Sequence, residues 1–124
     1  MSLADEIIRV RDSLPEVVPP MSESDGRVLF ALCCGIAPQL PGLDVDAPVP
    51  VDHFDWSRLR AESQVAMEAM TFTPVEVVAL GQRLGMLMVG AVSPLDVYAQ
   101  GMGYGIARGL VTERADGTGY IVTV

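Results

Sequence analysis

The sequence of 124 residues predicts one mostly α-helical domain of about five helices that ends in a short β-hairpin. Three observations lead to this prediction. Apolar residues recur at helical spacing in several stretches, and residues typical of helix starts precede them. Residues 110–124 instead resemble two short strands around an Asp-Gly turn. Half of the residues are hydrophobic and only 19% are charged, which argues against a disordered chain.

Residues 1–21 are predicted to form an N-terminal helix followed by a Pro-rich connector. Over residues 3–14, apolar side chains recur on one helical face, at Leu3, Ile7, Val10 and Leu14. Pro15 ends this helix, and Pro19 and Pro20 favour an extended backbone.

The second and third helices are predicted at residues 24–37 and 56–70. Residues 28–37 leave almost no polar side, so the second helix is expected to lie at the centre of the core. Ser22 or Ser24 can cap its start, and Pro38 stops it. Asp55 is the expected cap of the third helix.

The segment 38–54 is predicted to be a long irregular loop, because prolines interrupt it repeatedly. It contains weak candidates for metal ligands, which are Asp44, Asp46, Asp52 and His53. Their spacing lacks the central Gly and closing Glu of a calcium loop, and the chain has a single His. We therefore expect a solvated acidic loop, with no metal and no cofactor.

Residues 73–124 are predicted to hold twin helices, at 74–91 and 94–108, and the hairpin. Residues 73–81 are repeated 20 positions later, at 93–101, with a hydroxyl residue, Pro, an acid and Gly at matching places. A hydroxyl residue, Pro and an acid in this order are typical of a helix start. Gly109 is the expected stop of the second twin.

Each twin helix carries two glycines four residues apart, which are Gly81 with Gly85 and Gly101 with Gly105. Glycine inside a helix costs roughly 1 kcal/mol relative to alanine, so a close backbone contact is expected to offset it. That contact could be with other helices of the fold, with a second copy of the chain, or with a ligand. Together with two aromatic residues, Tyr98 and Tyr104, these glycine faces form the predicted interaction surface.

The acidic balance argues against several partners. The formal net charge is −8, so nucleic acid and anionic lipid are disfavoured. The chain start lacks a signal-peptide pattern, and the apolar run 84–92 is too short to span a bilayer. We expect a cytoplasmic protein without membrane contact. Lys and Asn are both absent, a bias that suggests a high-GC bacterium or phage.

Residues 104–123 resemble the C-terminal helix and wing of winged-helix domains. The resemblance rests on the helix end Arg108-Gly109-Leu110-Val111 and on a wing that turns at Asp-Gly. It implies DNA binding, with Arg108 and Arg114 as the contacting cations. The helix over 94–108 departs from this pattern, because Asp96 lies near its start, where a groove-reading helix needs a cation or Asn.

The sequence favours a non-catalytic protein-interaction or regulatory module that binds a protein partner or itself as a homodimer. A winged-helix transcription regulator is the first alternative, and a small enzyme with an acidic pocket in the 38–54 loop is the second. No residues form a recognisable catalytic set. Cys33 and Cys34 are adjacent, so they cannot readily bridge, and are expected to be buried thiols.

Overall fold

A helix that is apolar on every side must be covered by other elements, and the helix α1 (Glu23–Ile36) is of this kind from Val28 onward. The computed structural model of the chain describes residues 22–39, 55–113 and 120–122. In these ranges α1 packs against α2 (Trp56–Met70), α3 (Pro74–Met88) and α4 (Pro94–Ala107), most extensively against α4. The prediction of a small, mostly helical domain with a central second helix is confirmed.

Local signals explain where α1 and α2 begin. The Ser22 side chain accepts a hydrogen bond from the backbone N–H of Asp25, at 3.1 Å. The Asp55 side chain likewise accepts from Arg58 N–H, also at 3.1 Å. Each of these bonds satisfies a donor that the first helical turn leaves open. The predicted bounds of α2 are confirmed.

The ends of the segment 40–54 are held together by one side chain. A 3-10 turn, Ala37–Gln39, follows α1. The Gln39 side-chain amide donates to the Asp55 carbonyl at 3.0 Å and accepts from Asp55 N–H at 2.7 Å. Pro38 and Gln39 were predicted to start the irregular loop, and this is corrected, because both belong to the turn. The rest of the predicted loop, and the predicted helix in 1–21, lie outside the described residues.

The twin helices begin at the expected prolines, but their caps differ. Thr73 and Glu76 form a capping box, in which Glu76 N–H donates to the Thr73 hydroxyl and Thr73 N–H donates to the Glu76 carboxylate. Ser93 occupies the same position before α4 but makes no side-chain cap bond. The third helical position is occupied by Glu76 in α3 and by Asp96 in α4, and the Asp96 side chain is one methylene shorter.

Both twin helices end in the same way. Gly90 and Gly109 have positive φ angles of 74° and 72°. The Gly90 N–H donates to Leu87 O and the Ala91 N–H to Met86 O, the pattern of a Schellman motif. Gly109 and Leu110 repeat these bonds on α4. The stop at Gly109 was predicted, whereas the predicted end of the first twin at residue 91 is corrected to Met88, because Gly90 takes the left-handed conformation.

Two short strands follow α4. β1 (Val111–Glu113) pairs antiparallel with β2 (Tyr120–Val122), with Thr112 opposite Ile121. The connection between them, residues 114–119, lies outside the described residues, so the turn of the predicted hairpin stays a prediction. Val111 is buried and extends the core from the end of α4.

The two glycine pairs have opposite surroundings. In α4, a Cβ at Gly101 would collide with the Leu29 carbonyl and lie 2.6 Å from the Cβ of Cys33. A Cβ at Gly105 would lie 2.5 Å from the Phe30 ring. In α3, a Cβ at Gly81 or Gly85 would meet nothing within 4 Å among the residues that the structure describes. Within the described ranges, the predicted close backbone contact therefore exists in α4 and is absent from α3.

This contrast predicts opposite effects of the same substitution on stability. Gly101→Ala should lower the free energy of unfolding by about 1–3 kcal/mol, because the added methyl overlaps backbone atoms of α1. Gly81→Ala should raise it by about 0.5–1 kcal/mol, because alanine favours the helix and has open space. Urea unfolding at low protein concentration measures both, and equal effects at the two sites would contradict the packing described.

Candidate interaction surface

Most of the predicted interaction surface is turned into the protein's own core. Tyr98 and Tyr104 are only 4% and 3% exposed. Gly101 and Gly105 are buried against α1. The prediction that these four residues present a surface to a partner is corrected, because α4 uses this face to cover α1.

Tyr104 is held at the junction of α1 and α4. Its ring lies 6.4 Å from that of Phe30, and its hydroxyl donates to the Glu23 carboxylate at 2.7 Å. Burial, and then the bond to Glu23, raise the pKa of Tyr104 to about 12. The bond from Arg108, with that from Tyr104, lowers the pKa of Glu23 to about 2. These contacts join the start of α1 to the end of α4.

The two cations suggested for DNA contact are placed as follows. Arg108 lies over the Tyr104 ring and pairs with Glu23 at 2.6 Å, so its charge is matched within the chain. Arg114 lies outside the described residues. The helix that would read a DNA groove, α4, buries Val97, Tyr98 and Met102 in the core.

An exposed apolar surface lies on the solvent side of α3. Val75, Val78 and Val89 are 74%, 61% and 77% exposed. We define the outer face of α3 as the exposed residues Val75, Val78, Gly81, Gln82, Gly85 and Val89. An open apolar groove lined by Pro74, Val75, Val78, Ala79 and Gln82 runs along part of it. Of the predicted surface residues, Gly81 and Gly85 are therefore the two that remain accessible.

The outer face carries no charge because both charged residues of α3 point elsewhere. Glu76 is buried, and Arg83 is half-buried with its guanidinium 4.0 Å from the Asp25 carboxylate. These positions are seven residues apart and so share one side of a helix. Gln82 is the one polar side chain among the residues of the outer face. This spacing was the signal in the sequence that could have identified the face, since it leaves the opposite side uncharged.

Arg27 fixes the orientation of α3. Its guanidinium donates to the Glu76 carboxylate at 2.7 Å and to the carbonyls of Met70 and Thr71 at the end of α2. It also lies over the Phe72 ring. Burial opposes ionisation of Glu76, but bonds from Thr73 and Arg27 outweigh it and keep its pKa below the usual value. One cation of α1 thus holds the end of α2 and the start of α3.

The predicted metal candidates of the acidic loop, Asp44, Asp46, Asp52 and His53, lie outside the described residues. Within the described ranges, no group of three or more His, Cys, Asp or Glu side chains could hold a metal ion. No helix in the same part of the chain is long and apolar enough to cross a membrane.

Both cysteines were expected to be buried; Cys33 is buried, whereas Cys34 is half-buried. Burial, and then its neighbour Cys34, raise the pKa of the Cys33 thiol well above its ordinary value. Burial, with a smaller effect of Glu62, raises that of Cys34 to about 11. Both groups are therefore poor nucleophiles at neutral pH.

Comparison with known proteins returns no relative: no family model, no curated protein and no solved structure matches the chain.

The Glu76 contacts predict a loss of stability in acid. Because the pKa of Glu76 is lowered on folding from 4.5, its contribution is fully present above about pH 5 and is lost as the pH falls through the lowered value. Glu76→Gln keeps an acceptor but removes the charge, so it should cost roughly 1–2 kcal/mol at neutral pH and less in acid. Urea midpoints across this pH range measure the difference, with the exposed Glu62→Gln as control. If the difference in urea midpoint between the wild type and Glu76→Gln stayed constant with pH, it would contradict the role assigned to Glu76.

The raised pKa values also predict slow thiol chemistry. For Cys34, the rise from 9.0 to about 11 should slow reaction with an aromatic disulfide reagent about a hundredfold near pH 8, relative to the unfolded chain. Cys33 should react only after unfolding, because it is buried. Absorbance after mixing, with and without urea, measures both rates. Rapid reaction of two thiols in the native protein would contradict the packing of α1.

Proposed function

We propose that this chain is a non-catalytic interaction or regulatory module that binds protein through the outer face of α3, and that it binds a second copy of itself. The proposal keeps the protein-binding function expected from the sequence but moves the surface from α4 to α3. Its main support is that one helix presents several highly exposed valines and an uncharged solvent side. A solvated helix normally has charged residues there.

The charge distribution on the outer face of α3 permits a second copy as the occupant. Each chain carries a net charge of −8, so two copies repel each other over most approaches. The outer face of α3 places no acid opposite another acid when two such faces meet, because Glu76 is buried beneath it. A two-fold contact between identical faces is also the commonest way in which proteins form dimers. Added salt should strengthen this association, since it screens the repulsion between the chains.

The alternatives suggested by the sequence have less support. A winged-helix regulator would need α4 free to read DNA, yet α4 covers α1 and Arg108 is paired with Glu23. An enzyme with an acidic pocket would depend on the residues of the 38–54 loop, which lie largely outside the described ranges, so this alternative stays a prediction. We therefore develop the protein-binding proposal.

The proposal predicts that a charge on α3, but not on α2, prevents self-association. Val78→Glu places a carboxylate in the outer face, whereas Val65→Glu adds the same charge at a similarly exposed valine of α2, with exposures of 61% and 65%. Sedimentation velocity at high micromolar concentration should show dimers for the wild type and Val65→Glu, and monomers for Val78→Glu. Burying an unpaired charge would cost several kcal/mol at a contact that excludes water.

Two outcomes would contradict the proposal. If the wild type stayed monomeric at high micromolar concentration, the proposed self-association would be contradicted. Dimers that persist unchanged in Val78→Glu would show that the chain associates through another surface. Circular dichroism checks that both variants keep the helical fold, which is expected because both valines project into solvent.

A further inference from the structure

We infer that α3 detaches from α1 as a unit before the rest of the fold opens. The turn between α2 and α3, residues 71–73, is the strained hinge of this opening, and Arg27 holds it closed. The inference concerns the single chain and goes beyond the proposed function, because it does not depend on whether the chain self-associates.

The strain lies at Thr71, where α2 ends. Its φ of 56° and ψ of 70° are left-handed, and among the described residues it is the one non-glycine with a positive φ. A β-branched side chain rarely takes this conformation, because its Cβ approaches the following carbonyl oxygen. The ends of α3 and α4 instead place Gly90 and Gly109 there, without a Cβ. α2 therefore ends in a conformation that its own residue does not favour.

The α2–α3 turn has little freedom to relieve this strain. Pro74 begins α3 directly after the three residues of the turn. A proline fixes its own φ and favours an extended residue before it, and Thr73 is extended, with φ −74° and ψ 161°. The reversal of the chain is thus left to Thr71 and Phe72.

Arg27 of α1 holds the strained turn in place. Its Nη2 donates to the carbonyls of Met70 and Thr71, at 2.5 and 2.9 Å, and its Nε donates to Glu76 Oε2 at 2.7 Å. The guanidinium carbon lies 5.1 Å from the centre of the Phe72 ring. Relaxation of Thr71 would turn its carbonyl away from Arg27, so these contacts oppose release of the strain.

α3 is held to α1 less firmly than its neighbours are. Its contact with α1 is less extensive than those of α2 and α4. The buried residues of α3 are Glu76, Leu84 and Leu87. Gly81 and Gly85 weaken the helix itself, and within the described ranges no close contact offsets this. Elements with few buried apolar contacts open at a lower free energy than the whole domain, so α3 is the element expected to open first.

α3 can leave α1 with its start intact, because Glu76 uses its two oxygens separately. Oε1 accepts from the Thr73 backbone N–H and hydroxyl, both at 3.0 Å, whereas Oε2 accepts from Arg27. Loss of the Arg27 bond therefore leaves the capping box closed. The detached helix has 15 residues, a length at which helices are marginal in water. Its amide hydrogens then exchange with solvent, which makes the opening measurable.

Hydrogen exchange resolved by helix, at low micromolar concentration, tests the inference. In the wild type, the amides of α3 should exchange at least about tenfold faster than those of α1 and α4. Arg27→Lys keeps the cation but loses the planar fork that reaches three acceptors, so it should speed exchange of α3 about tenfold further. Arg108→Lys is the matched control, since its pair with Glu23 joins α1 to α4 and stays closed when α3 opens. It should leave exchange of α3 unchanged.

Thr71→Gly tests the strain separately from the Arg27 contacts. Glycine takes the left-handed conformation without a Cβ, so opening no longer releases strain, and exchange of α3 should slow several-fold. This variant keeps the carbonyls that Arg27 binds and is expected to fold, since two other helices of the chain already end in glycine.

Faster exchange of α3 in Arg27→Lys, with slower exchange in Thr71→Gly, supports the inference. Equal exchange of α1, α3 and α4 in the wild type would overturn it, since all three would then open only with the whole domain. Unchanged exchange of α3 in Thr71→Gly would overturn the hinge. The same exchange of α3 in Arg27→Lys as in the wild type would overturn the role of Arg27. The oligomeric state, measured by sedimentation, decides the proposed function separately.

Discussion

The close approach of helix backbones to α1 is the constraint on which the rest of the structure depends. From Val28 onward, α1 is apolar on every side and has to be covered. Gly101 allows α4 to contact the backbone of α1 at Leu29, and Gly35 of α1 allows the same with α2, where a Cβ would lie 2.5 Å from the Leu59 carbonyl. Dispersion contacts increase as the packed surfaces come closer, so these glycines offset their cost in helix stability.

Covering α1 determines which surface of the chain remains for other proteins. Arg27 of α1 binds Glu76, and Asp25 lies beside Arg83, so both charges of α3 are drawn towards α1. The opposite side of α3 is thereby left without charge and in contact with solvent. The apolar face that we propose for self-association is a consequence of how α3 is held, because a helix rotated by half a turn would bury the valines and expose the charges.

Part of this arrangement could be predicted from residues close in sequence. Asp55 and the capping box of Thr73 specify helix starts, because their bonds reach only three residues along the chain. The apolar character of α1 predicts its central position. The surface was predicted less well. Gly101 and Gly105 were correctly expected to contact a backbone, but Tyr98 and Tyr104 were placed on the surface and are buried.

The sequence by itself determined the starts of the four described α-helices, the caps at Asp55 and Thr73, the glycine stop at Gly109 and the repeat that links α3 to α4. Each of these depends on interactions within a few residues. Only the tertiary structure decided that α1 occupies the glycines of α4 and leaves those of α3 open. The two pairs have the same spacing and nearly the same neighbours. The two glycine pairs are distinguished by contacts between residues far apart in sequence. Tyr104 and Arg108 of α4 bind Glu23, whereas Glu76 of α3 binds Arg27. No local sequence pattern reveals these contacts.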